Sequence, residues 1–114
     1  MDKQSKKDMS AAYKEKKKIG GIYAVRNSVT GKALLGAAPD MAGFRNRFSF
    51  SQATDSCVHP KLEADWKKFG GTAFVLEVLE TLEKKNDQTD REFADDIAVL
   101  KDLWLEKIDP ALLY

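Results

Sequence analysis

The residues of this chain best equipped for chemistry are cations in its front half. Lys14, Lys16, Lys17 and Lys18 cluster just before Gly20-Gly21. Such a patch can follow a phosphate backbone, with binding that weakens steeply as salt rises. The same lysines equally describe a solubilising tail. Arg45 and Arg47 form a second group. Two positions apart on a helix, they point about 200° away from each other, so only one can face a given cleft. Without a cleft they are simply a solvated pair, as Lys67 and Lys68 are expected to be. Cys57 and His59 are the single cysteine and the single histidine. They exclude an intrachain disulfide and fall short of the three or four protein ligands a zinc site takes. Nothing in the sequence gives Cys57 the His/Asp partners of a nucleophile.

The formal net charge of +1 hides an asymmetry. Residues 1–18 carry +4, residues 19–69 carry +3 and residues 70–114 carry −6. A basic front and an acidic back suit a protein that meets a polyanion with one face, or a solvated acidic helix behind a lysine tail. The 114 residues suffice for one core. No apolar run approaches the ~20 residues that span a bilayer, and Met1–Lys18 lacks the apolar core of a secretory signal. A single free cysteine fits a reducing, cytoplasmic setting.

Several elements must position these groups. Residues 3–18 form a polar helix or no fixed structure, because they offer little to bury. Ile22–Arg26 is β-branched and aromatic, Asn27–Gly31 is turn chemistry, and Lys32–Gly36 is a second strand; together they make an antiparallel hairpin. A helix starts at Pro39-Asp40, with Met41, Phe44, Arg45 and Phe48 at helical spacing. Residues 49–58, rich in Ser, Thr and Gln, read as a loop. His59-Pro60 opens a helix carrying Leu62, Trp66 and Phe69, and Gly70-Gly71 ends it with a left-handed cap. Ala73–Leu79 is a third strand and Lys84–Asp90 a charged linker. A last helix runs from about Arg91 to Lys107 on Phe93, Ile97, Leu100 and Trp104, and Asp109-Pro110 stops it. Trp66, Phe69, Phe74 and Trp104 lie on periodic apolar faces and read as core. The fold class is α+β: a small three-stranded antiparallel or mixed sheet flanked by helices. Residues 1–18 are a basic extension, 19–110 the domain and 111–114 a tail.

Beyond composition and periodicity, Gly21-Ile22-Tyr23 resembles the first signature of the GIY-YIG nuclease family. Eleven residues after Tyr23 stands Leu34-Leu35-Gly36, where that family usually has Tyr-Ile-Gly. Asn27–Lys32 is similar to its Asn-x-x-x-Gly-Lys turn, and Arg45 and Arg47 fall where it places an arginine. Leu62-x-x-Asp65-Trp66-x-x-Phe69-Gly70, Phe74-x-x-Glu77-Val78-Leu79-Glu80 and Leu103-Trp104-Leu105-Glu106-Lys107 resemble later segments in order. The resemblance spans residues 19–110.

The resemblance implies a metal-dependent DNA endonuclease that hydrolyses phosphodiesters with Mg2+ or Mn2+. It makes Tyr23 the general base or a relay to it, and Arg47, with Arg45 in reserve, the phosphate-binding cation. A phenol with a pKa of ~10 acts as a base only beside positive charge. Lys16, Lys17, Lys18, Lys32 and Arg45 become contacts to DNA, or to RNA. The pattern is also broken. Leu34 lacks the second signature hydroxyl, and Phe48 stands where many relatives have histidine. Lys101 occupies the position of the metal-binding glutamate, and an ammonium repels magnesium. Glu77, Glu80 or Asp102 is then left to hold the ion. The alternatives are a domain that binds nucleic acid without cutting it, or one that serves protein interaction.

Overall fold

The computed structural model describes residues 18–114; Lys16, Lys17 and the helix considered for 3–18 lie outside them. Strand β1 (Ile19–Asn27) is the centre of a three-stranded sheet, between β2 (Ala33–Ala38) and β3 (Phe74–Glu83). Both pairings are antiparallel. Of the two sheet types the sequence left open, the antiparallel one forms, and the α+β class holds.

The β1–β2 turn is built as its residues dictate. The Asn27 carboxamide oxygen accepts the backbone N–H groups of Val29 (2.9 Å) and Thr30 (3.3 Å). Gly31 takes φ 81°, a region open to glycine at little steric cost. Asn27 itself is fully buried, and its amide nitrogen donates to Tyr114 Oη at 3.0 Å and to Asp65 at 3.4 Å.

Strand alternation divides the interior into two cores. Tyr23 and Val25 of β1 and Leu34 and Ala38 of β2 face helices α1 (Met41–Thr54) and α2 (Glu63–Phe69), packing on Met41, Phe48, Leu62, Trp66 and Phe74. Ile22 and Ala24 of β1 and Ala33 and Leu35 of β2 face helix α3 (Asp90–Lys107), packing on Phe93 and Ile97. Trp66 and Phe74 are buried and stacked, with ring centroids 5.0 Å apart.

Three local readings change. Helix α1 continues to Thr54 through residues expected to be loop. The hydroxyls there do not compete with the helix but bond back into it: Ser51 Oγ donates to the Arg47 carbonyl (2.9 Å) and Thr54 Oγ1 to that of Phe50 (2.8 Å). Phe48 and Ser51 are buried beneath them. Helix α2 is preceded by a 3-10 turn at Pro60–Leu62 and ends at Gly70 with φ 86° and ψ 153°. That cap has the expected positive φ, but its ψ is extended. The end of the charged linker is the start of α3: Thr89 and Glu92 form a reciprocal capping box. Residues 110–114 fold back on the domain, where Tyr114 N donates to the Ala33 carbonyl (3.0 Å) and its hydroxyl to Asp65 (2.6 Å).

Candidate functional site

Tyr23 and Arg47 line one cleft. The cleft has a volume of about 550 Å³, and its wall also includes Lys18, Phe44, Asp40 and His59. Tyr23 is opposite Gly36 in the β1–β2 ladder. A Cβ at position 36 would lie 2.3 Å from the tyrosine Cζ and Oη. Glycine is therefore the residue that lets the phenol lie across β2 and bring its hydroxyl to the cleft. The Phe44 ring from α1 stacks on Tyr23 with centroids 3.9 Å apart and planes 20° apart, holding the phenol in one orientation.

Burial pushes the Tyr23 phenol above its ordinary pKa, and the Arg47 guanidinium pulls it partly back. At neutral pH the hydroxyl is protonated and available to donate a hydrogen bond. Arg47 reaches the cleft from the middle of α1, and its Nη2 donates to the Val58 carbonyl at 3.3 Å. That bond uses one of the five guanidinium donors. Arg45 lies in an adjoining groove with Lys18, Ile19, Met41, Asn46 and Thr81, as the 200° separation of the two arginines requires. Lys18 borders both hollows and reaches Asp90 at 3.4 Å. Lys32 is exposed on the hairpin turn and does not line the cleft.

Three groups in this wall have no part in the sequence reading of the site. His59, taken there as a helix start and as too little for a zinc site, lines the cleft. Its Nδ1 accepts the Lys61 N–H (3.1 Å), which makes Nε2 the proton-bearing nitrogen of the neutral ring. Phe44, read only as an apolar helix position, is the stacking partner of Tyr23. Asp40, read as a helix start, also contributes to the wall. The one usable signal for His59 was its rarity, because its loop has no periodicity.

The fold is that of the GIY-YIG nucleases: a β-hairpin, two helices, a third strand completing an antiparallel sheet, and a closing helix. Two solved structures share it. A point mutant of the catalytic domain of the intron endonuclease I-TevI superposes with a TM-score of 0.61 at 21% identity, covering 84% of this chain and 91% of that one. The catalytic domain of homing endonuclease I-TevI gives 0.56 at 22% identity, covering 77% and 86%. No protein-family model matches the chain, and no curated protein matches it.

Nucleases of this fold are generally metal-dependent, and a divalent ion would have to find its donors among the residues of this cleft. They do not fit. Among the described residues, Asp40 is the one carboxylate in the cleft wall. Its Oδ1 accepts the Gly43 N–H at 3.1 Å, and Lys18 and Arg47 share the wall with it. The carboxylates expected to compensate for Lys101 are held elsewhere. Glu77 pairs in the ladder with Ala24 and Glu80 with Ile22, which puts both on the α3 side of the sheet, away from Tyr23. Glu77 accepts Arg26 Nε at 3.0 Å and Glu80 accepts the Trp104 indole N–H at 2.8 Å. Asp102 is exposed on α3 beside exposed Leu103. Among the described residues no group of three His, Cys, Asp or Glu is placed to hold an ion. A hard cation needs oxygen donors in number, and this cleft offers cations instead.

Proposed function

We propose that this domain binds the phosphodiester backbone of nucleic acid, DNA first and RNA as a further candidate, in the Tyr23–Arg47 cleft, and that hydrolysis there is weak or absent. The observation that carries this reading is the meeting of Tyr23 and Arg47 in one cleft whose wall adds Lys18 and His59 but one engaged carboxylate. Arg47 supplies charge-assisted, fork-shaped donors to phosphate oxygens. The protonated Tyr23 hydroxyl and the His59 Nε2–H add further donors. Lys18 lengthens the cationic track. The homing-endonuclease neighbours support DNA as the polymer. The half of a nuclease site that engages phosphate is present; the half that stabilises a leaving oxygen through Mg2+ or Mn2+ has no suitable donors.

The test couples binding to cutting. Fluorescence anisotropy with a labelled DNA duplex, repeated across a salt series, is run beside nicking of supercoiled plasmid in Mg2+ and in Mn2+. The expected result is salt-dependent binding that weakens in Arg47→Ala, with no nicking above background in either metal. Nicking by the wild type that disappears in Tyr23→Phe would establish the second reading, a working endonuclease that recruits a carboxylate on substrate binding. No binding at low salt would sink both.

A further inference from the structure

A second cavity, of about 340 Å³, opens on the opposite face of the sheet, between β1, β2, the C-terminal half of α3 and the segment after it. Its existence follows from residue size. Ala24 and Ala33 stand on its floor beside Leu35, where two methyl side chains leave room that larger residues would fill. One wall is Trp104. Its indole N–H is already committed to Glu80, so it turns an apolar ring face to the hollow rather than a donor. The 3-10 turn Pro110–Leu112 and the short parallel bridge of Leu113 to Ala33 close the far side.

Charge at the rim is specific. The Lys107 ammonium sits 5.2 Å from the Trp104 ring centroid and has no carboxylate partner among the described residues. Arg26 spends Nε on Glu77 and Nη1 on the Gly31 carbonyl, which leaves its Nη2 donors unused among the described residues. Asp109 also borders the hollow, but its Oδ1 caps the turn by accepting the Ala111 N–H at 2.9 Å. The rim thus offers unused cationic donors while its acid is turned to the backbone.

We infer that this cavity binds a small carboxylate with an apolar body, the body over Ala24, Leu35 and the Trp104 ring and the carboxylate at Lys107 and Arg26. Volume and lining are those of ligand sites, which are mostly apolar with a few placed polar groups. The occupant is amphiphilic because one end of the hollow is apolar and the other cationic. The site shares no lining residue with the Tyr23 cleft, so it stands or falls separately from the nucleic-acid reading.

The test titrates octanoate, and separately 1-octanol, into the full chain and follows the two tryptophan indole N–H resonances by NMR. Octanoate is expected to move the Trp104 signal saturably and leave Trp66, buried on the other face, unmoved. Ala24→Ile fills the floor and is expected to weaken octanoate at least tenfold, with the Trp66 signal reporting an intact fold. Ala33→Leu is the second filling variant should the first fail to fold. Lys107→Met is expected to weaken octanoate by roughly tenfold, the scale of one charge-assisted hydrogen bond, without changing octanol. No Trp104 shift at millimolar octanoate, or equal binding in a folded filling variant, overturns the site. Equal affinity for octanol and octanoate in the wild type overturns the carboxylate assignment.

Discussion

The two faces of one sheet have been put to different uses. On the α3 side, Phe93, Ile97 and Ile22 pack a core whose far end opens into the hollow over Ala24 and Ala33, and the carboxylates that border it are tied down, Glu77 to Arg26 and Glu80 to Trp104. On the α1 side, a comparable core is left open at one end, where the Tyr23 hydroxyl, Arg47, Lys18 and His59 line a cleft. The carboxylates of Glu77 and Glu80 sit behind the sheet, and the cations Arg47 and Lys18 in front of it. In a metal-dependent phosphodiesterase the two must meet at one phosphate, and here a layer of backbone separates them. Shared topology alone does not decide shared chemistry, which depends on which face each side chain takes.

The largest effect that tests this contrast lies in the α3 face. Phe93 is fully buried, and Phe93→Ala is expected to destabilise the domain by about 3–5 kcal/mol, as for other truncated core aromatics. Thermal and urea unfolding measure it, and a loss below 1 kcal/mol would show that this face is not the structural one. In the open face, Arg47→Ala is expected to leave stability within about 0.5 kcal/mol, because the side chain is on the surface. It should weaken DNA binding roughly tenfold or more and reduce the salt slope by about 0.9, the signature of one lost phosphate contact. Unchanged affinity across the salt series would move the interface away from the cleft.

Alkali probes the same cleft through its tyrosine. Burial raises the Tyr23 pKa, so above the unfolded value of ~10 the unfolded chain loses the phenolic proton before the folded one does. The folded state then binds more protons, and stability falls as pH rises through that window. Tyr23→Phe is expected to flatten the fall, leaving the part contributed by Tyr114, whose pKa is also raised, first by burial and then by its bond to Asp65. Identical pH profiles for wild type and Tyr23→Phe would mean an exposed phenol. The smallest effect returns to the α3 face. Glu77→Gln removes a partly exposed ion pair with Arg26 and should cost about 0–1 kcal/mol in thermal unfolding. It should leave DNA binding unchanged, and a change in either binding or nicking would place Glu77 in the site.

Much of the fold was legible because its signals are local. Asn27 and Gly31 encode their turn, and the helical spacing of Phe93, Ile97, Leu100 and Trp104 marks the last helix. The helical path of residues 49–54 was not legible, since Ser51 and Thr54 resemble loop residues until their hydroxyls are seen bonded to the preceding turn. The faces of the acidic residues were hidden for a different reason. Glu77 and Glu80 are three apart, so plain alternation puts them on opposite faces. The register shifts between Ile22 and Tyr23, where Val78 and Glu80 are the consecutive partners and Leu79 is the extra residue. This bulge returns both glutamates to one side. No residue type in β3 announces it. Tyr23 and Arg47 were picked out by resemblance, whereas His59 and Phe44 reach the cleft through packing that only the folded chain shows.

The central position of β1 has a kinetic consequence. Its backbone is hydrogen-bonded on both sides, to β2 and to β3, so its amides have no edge from which to fray. Such a strand exchanges its hydrogens only when the whole domain opens, and Tyr23 belongs to that slowest unit. Arg47 and His59 arrive instead from a helix that packs on one face and from the loop that follows it. Adjustment of the cleft to whatever it holds must come from those two sides, closing on a tyrosine that stays still.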